Sequence, residues 1–357
     1  MTAIRASAPG KAVLLGEYAV LAGAPALVMA IDRRARVDIV VDPDRQSRVE
    51  VPQLGLAPIE FRRCSSGKIA WLSDRADQPA FGRARRVLEW LLARHAGRLA
   101  EHPGLRIRID TGELYQQTEQ GPIKLGLGSS AAMTVALAGA LEALADPAPP
   151  AAIAARLADQ LLGPYRAGQG GRGSGIDLAA SLHGGLCRYQ LAADQPRVER
   201  VALPEALKLA FVWTGQAAST ADFLARHEAW CHERPAAAAA AQRTLERYCR
   251  ETLARLAAND APGVMTCINK YRRGMGKIGD SADLPVLSAS LAEMAEIAEC
   301  HGLACKPCGA GGGDLAVLAG IDEHALDQAC RLLEARGWPR LPLGVAGHGL
   351  DLEVRPA

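Results

Sequence analysis

The chain holds Gly126-Leu127-Gly128-Ser129-Ser130-Ala131-Ala132 just ahead of a long apolar helical run over residues 133–144. Small residues let a ligand come against the backbone, and the start of a helix offers N–H groups with no partner inside the helix. The chemistry that follows is anion binding, most often of a phosphate. No Gly-x-x-x-x-Gly-Lys-Ser/Thr occurs, which excludes a P-loop nucleotidase. Taken alone, such a helix start is equally a place where elements pack closely. Two further small-residue motifs flank it: Pro9-Gly10-Lys11, running on to Gly16-Glu17-Tyr18, and Lys306-Pro307-Cys308-Gly309-Ala310-Gly311-Gly312-Gly313-Asp314. A fourth segment, Gly173-Ser174-Gly175-Ile176-Asp177, sets one carboxylate on otherwise bare backbone. Asp177 reads as a proton acceptor for a substrate hydroxyl or as a helix N-cap.

These motifs need elements to hold them. Residues 26–41 read as extended, residues 105–109 alternate as a half-buried strand, and 186–190 return as another strand. Residues 42–75 read as hairpins and loops, 83–95 as a helix, and 113–124 as a polar loop leading into the central motif. A helix over 151–162 ends at Gly163-Pro164. Residues 177–185 read as a small-residue turn. Composition changes over 194–203, after which long helices follow, one alanine-rich over 236–258, before strand and helix alternate up to a closing strand at 350–354. The pattern is that of a two-domain α+β protein, with domains over 1–198 and 199–357.

Composition narrows the function. The chain has 357 residues, enough for two cores, and a net charge of +2, which leaves no electrostatic footprint for nucleic acid. Aromatic residues are 4% of the chain, too few for a base-stacking surface. The first motif lies so near the start that no signal peptide is expected, and no apolar run reaches membrane-spanning length, so a cytoplasmic protein is predicted. Nine cysteines without a pairing pattern read as reduced thiols, and Cys305-x-x-Cys308 as two unreactive ones. Gly168-x-Gly170-x-x-Gly173 spells a dinucleotide fingerprint but lacks the strand before it and the amphipathic helix after it.

The three motifs in this order resemble the signature of the GHMP kinase superfamily over nearly the whole chain. That resemblance implies a fold with a left-handed β-α-β crossover in the first domain, against the usual right-handed rule, and a ferredoxin-like second domain. It implies ATP phosphates wrapped by Gly126, Leu127, Gly128, Ser129, Ser130 and Ala131, and Mg²⁺ held by the hydroxyl of Ser129 or Ser130. It also implies catalysis by Lys11 and Asp177, the ammonium of Lys11 lying beside Asp177 to keep it ionised. Glu17, Tyr18, Ser174, Gly175, Gly309, Ala310 and Gly311 fall at the substrate end. Mevalonate kinases carry a glutamate eleven residues before the aspartate. Here that position is Arg166, leaving the second metal ligand open, with Asp159 as one option.

Within the superfamily, Trp213-Thr214-Gly215 followed by Ser219-Thr220, and Lys306 with its glycine run, resemble segments of phosphomevalonate kinases. Thr214, Ser219 and Thr220 are then candidate hydroxyl donors to substrate, although Ser219 and Thr220 equally suit a helix cap. Lys306 is the strongest candidate cation for a substrate phosphate, ahead of Lys270, Arg272, Arg273 and Lys277. Cys308 stands where that family usually has Ser. The resemblance implies a small-molecule substrate, no nucleic-acid or membrane partner, and a monomer or homodimer. The reaction implied is ATP-dependent phosphorylation of 5-phosphomevalonate. The alternatives are phosphorylation of mevalonate, decarboxylation of its diphosphate, and ligand sensing without turnover.

Overall fold

The computed structural model describes residues 2–42, 46–64, 68–119, 121–167, 171, 173–192, 195–218 and 220–356. The expected extended segment is one long strand, Ala26–Asp42, paired along its length with Thr2–Leu15. Its start also pairs with Leu186–Ala192 and its end with Gly104–Asp110. These belong to a nine-stranded sheet, antiparallel except where Ser47–Glu50 meets Gly104–Asp110. The hairpins expected after residue 42 are Ser47–Glu50, Ile59–Arg63 and Ile69–Trp71 at its far edge.

Helix Ser129–Ala145 packs on the first two strands, and every residue from Ala131 to Leu144 is buried. Burial on all sides explains why it has no polar face. Among the described residues no single helix is long and apolar enough to cross a membrane. Two segments differ from the sequence reading. The expected turn at 177–185 is a helix, Ile176–His183, because its glycines, Gly175 (φ 79°) and Gly184 (φ 69°), stand at its two ends and leave Leu and Ala between them. The polar loop at 113–124 contains a hairpin, Tyr115–Thr118 with Gly121–Lys124.

The second half begins at strand Lys208–Trp213 and continues through four helices, Thr220–Glu233, Pro235–Ala257, Ala261–Ala282 and Ala289–Cys300. Strands Ala304–Pro307 and Leu315–Gly320, helix Glu323–Glu334 and strand Arg340–Leu341 follow. Across the sheet the four strands run fourth, first, third, second, the ferredoxin-like order. The expected boundary at 198/199 falls inside strand Gln195–Val201, and the final strand, Asp351–Pro356, pairs back onto Thr2–Leu15. One apolar core takes in Leu14, Leu27 and Leu137 together with Leu245, Tyr271 and Val286, so the two halves are packed as a unit.

Candidate active site

The four small-residue segments meet around a cavity of about 530 Å³. Lys11 reaches it from the first strand, its backbone N–H donating to Leu127 O (2.8 Å) and its ammonium to Gly126 O (3.0 Å). Those bonds lock the first motif onto the second. Gly128 is required here: its φ is 70°, and a Cβ would lie 2.8 Å from Lys11 Cγ. Gly126, Leu127, Gly128, Ser129 and Ser130 all line the cavity. Ala131 does not; it is fully buried and its N–H donates to Gly128 O at 3.0 Å, closing the first turn instead of waiting for a phosphate. The hydroxyl of Ser130 is buried next to that of Tyr165 and has no hydrogen bond of ordinary geometry.

Asp177 lines the same cavity with Ser174 and Gly175. Its Oδ1 accepts from the Leu178 N–H at 3.1 Å and its Oδ2 accepts from the Tyr165 hydroxyl. The resemblance led us to expect Lys11 beside Asp177. The two share the cavity, but among the described residues no lysine or arginine lies within salt-bridge distance of Asp177, and the Lys11 ammonium is held by Gly126. Ser174 is buried, its carbonyl accepting from the Tyr189 hydroxyl.

The third motif behaves differently from expectation. Lys306 is fully buried and absent from the cavity wall. Its ammonium meets Glu17 Oε1 at 2.6 Å, bonds to the carbonyls of Val13 and Pro307, and lies 6.0 Å from the Tyr271 ring centre. A cation neutralised in this way is not free for a substrate phosphate. Burial pushes the Glu17 carboxyl upward and Lys306 draws it back, while its second oxygen has no partner. Of the other expected cations, Lys270 pairs with Glu251 (3.1 Å), and Arg272 and Arg273 share Glu299 (2.6 and 2.8 Å). None of these, nor Lys277, lines the cavity. Among the described residues the cations that do are Lys11, Lys124 and Arg83.

Tyr18 also faces the cavity, and its hydroxyl donates to the Ala310 carbonyl, tying the first motif to the third. Gly309 and Ala310 line the cavity, but Gly311 packs against Val286. The Thr214 hydroxyl donates within its own loop, to the carbonyls of Gln216 (3.2 Å) and Asp314 (2.9 Å). Ser219 and the side chain of Thr220 lie outside the described residues. Cys308 is buried in the core with its thiol pushed up to about 12, as is that of Cys305, consistent with the inert reading. The candidate ligand Asp159 is exposed and away from the cavity. Much of the dinucleotide-like spelling at 168–173 lies outside the described residues, and the element before it is a helix, Leu162–Ala167.

Sequence reasoning gave no role to four polar residues of the cavity wall, Arg83, Lys124, Tyr165 and Asp314. Lys124 stands two places before Gly126. Asp314 closes the third motif, its Oδ1 accepting from the Ala218 N–H at 3.0 Å while burial pushes its carboxyl upward. Arg83 and Tyr165 sit on helices whose sequences carry no motif, so no signal marked them.

In its fold and in the segments gathered at the cavity the chain resembles the small-molecule kinases of the GHMP superfamily. Residues 83–185 match the GHMP kinases N terminal domain. Along 96% of its length the chain is 29% identical to the phosphomevalonate kinase of Streptomyces sp. (strain CL190), covering 97% of that protein. It is 31% identical to the mevalonate kinase of Pyrococcus abyssi over 62% of this chain and 60% of that one. Its fold matches the structure of Streptococcus pneumoniae phosphomevalonate kinase in complex with phosphomevalonate and AMPPNP. The TM-score is 0.71 at 17% identity, over 97% of this chain and 100% of the other.

Proposed function

We propose that the protein transfers the γ-phosphoryl group of ATP to the phosphate of 5-phosphomevalonate, giving mevalonate 5-diphosphate and ADP, a step of the mevalonate isoprenoid pathway. The observation that carries this reading is the end-to-end relationship to a phosphomevalonate kinase, joined to a cavity that gathers Lys11, Lys124 and Arg83 around a helix start. Two phosphorylated molecules facing each other need several cations, and phosphoryl transfer asks the protein chiefly for alignment and charge neutralisation.

In this mechanism the backbone N–H groups of Ser129 and Ser130, which unlike that of Ala131 make no backbone bond among the described residues, would receive phosphate oxygens. Lys11, fixed by Gly126, presents its ammonium between donor and acceptor. Mg²⁺ needs few protein ligands when phosphates supply the rest. The hydroxyl of Ser130, which lines the cavity beside that of Tyr165, would hold the ion, with Ser129 next to it, and the ion would supply positive charge to the phosphates. An acceptor phosphate is already ionised near neutral pH, so Asp177 orients rather than deprotonates. Glu17, Tyr18, Gly309 and Ala310 would contact the carbon skeleton of the acceptor.

The test is ADP release by the purified protein with MgATP and 5-phosphomevalonate, mevalonate or mevalonate diphosphate. Turnover only with phosphomevalonate is the expected result. Preference for mevalonate moves the assignment one step back, release of CO₂ identifies a decarboxylase, and binding without ADP from any of them overturns the kinase reading in favour of a sensor.

A further inference from the structure

We infer that Tyr165 is the positioning residue for Asp177: by donating to Oδ2 it fixes the direction in which the carboxylate meets the phosphoryl acceptor. The inference rests on reading the cavity as a phosphoryl-transfer site.

Asp177 sits in the first turn of an eight-residue helix, with a side chain that could take several rotamers. Among the described residues the Leu178 N–H donates to its Oδ1 and the Tyr165 hydroxyl to its Oδ2. The phenol holds one oxygen and the backbone N–H the other, so the two bonds together set the plane of the carboxylate. The ring of Tyr165 is itself well fixed. It is 6% exposed and stands between the main cavity and a second one of about 260 Å³, with Pro164 on its own helix, Leu161 just before that helix, and Val87 and Trp90 across from it. A buried tyrosine needs a partner for its hydroxyl, and here that partner is Asp177. Each oxygen of Asp177 keeps a lone pair for a hydroxyl of the acceptor molecule or for a water beside its phosphate.

Tyr165→Phe removes the donor and keeps the ring. With MgATP and phosphomevalonate, kcat should fall roughly tenfold while both KM values stay within about twofold, since the lost interaction orients chemistry and not binding. Thermal melting should be almost unmoved. Replacing Tyr165 by 4-aminophenylalanine, which restores an N–H donor on the same ring, should recover most of kcat. An unchanged kcat in the Phe variant, beside an active wild type, overturns the inference alone. So does a variant that loses stability and activity together, which would make Tyr165 purely structural. A wild type that turns over no acceptor sinks the phosphoryl-transfer reading, and this inference with it.

Discussion

The glycine run at residues 126–128 and the one at 309–313 look alike as sequence, and each has a lysine nearby, yet the molecule uses them in opposite ways. At the first, glycine makes room for a reactive side chain: Gly128 lets Lys11 lie across the loop and reach the cavity. At the second, glycine makes room for the core. A Cβ on Gly311 (φ 95°) would lie 2.4 Å from the Val286 carbonyl oxygen, and Lys306 is buried against Glu17 beneath. One lysine is held by a single carbonyl at the cavity wall, the other by a carboxylate, two carbonyls and an aromatic ring away from it. Local composition sets how closely backbones can approach; the charges packed nearby decide whether a cation serves substrate or structure.

The contrast is broken most readily at the lysines. Lys11→Ala should lower kcat by about 10²–10³-fold, the scale of removing one preorganised charge from a transition state, with melting temperature nearly unchanged. Asp177→Asn should cost less, because an ionised acceptor needs no base. Steady-state ADP release with phosphomevalonate checks both; equal and total loss would instead indicate an alcohol acceptor. Lys306→Met should act the other way round, destabilising the fold by about 3–5 kcal/mol by leaving Glu17 buried and unpaired. Urea unfolding reads this, and Glu17→Gln in the same chain should recover much of it. A stable Lys306→Met protein with only a raised KM for phosphomevalonate would mean that Lys306 serves the substrate after all.

The segments at Lys11, Gly126 and Asp177, which line one cavity, stood out in the sequence because their pattern is local: small residues beside a charge, or a glycine before a helix. The strand Ala26–Asp42 and the buried helix Ser129–Ala145 were legible from period and apolarity. What could not be read was partnership across the chain. The pairing of Lys306 with Glu17 spans 289 residues, and that of Tyr165 with Asp177 joins two helices of six and eight residues whose mutual angle no pattern encodes. The helix at 176–183 was missed because glycines at both ends resemble a turn when the residues between them are few.

Cys308 sharpens the contrast at smaller scale. Its thiol lies in the apolar core, so Cys308→Ser should cost about 1–3 kcal/mol for a buried hydroxyl without a partner, with KM for phosphomevalonate unmoved. A fall in KM would instead place position 308 at the substrate.

The smallest expected effect is at Asp314, where the two glycine runs touch. Its carboxyl is raised by burial, opposed by the Ala218 N–H and by Lys11 and Lys124. The folded state therefore binds this proton more tightly than the unfolded chain, whose carboxyl titrates near 4. By linkage, stability from this group is greatest below that value and is lost as pH rises toward the folded pKa, after which the penalty is constant. Asp314→Asn keeps an acceptor for Ala218 and removes the charge, so its unfolding free energy should lose this downward step. Urea melts between about pH 4 and pH 7 on both proteins test the sign. A wild type that gains stability relative to the Asn variant over that range would mean that Lys11 and Lys124 outweigh burial, and that the second glycine run also shapes the charge of the cavity.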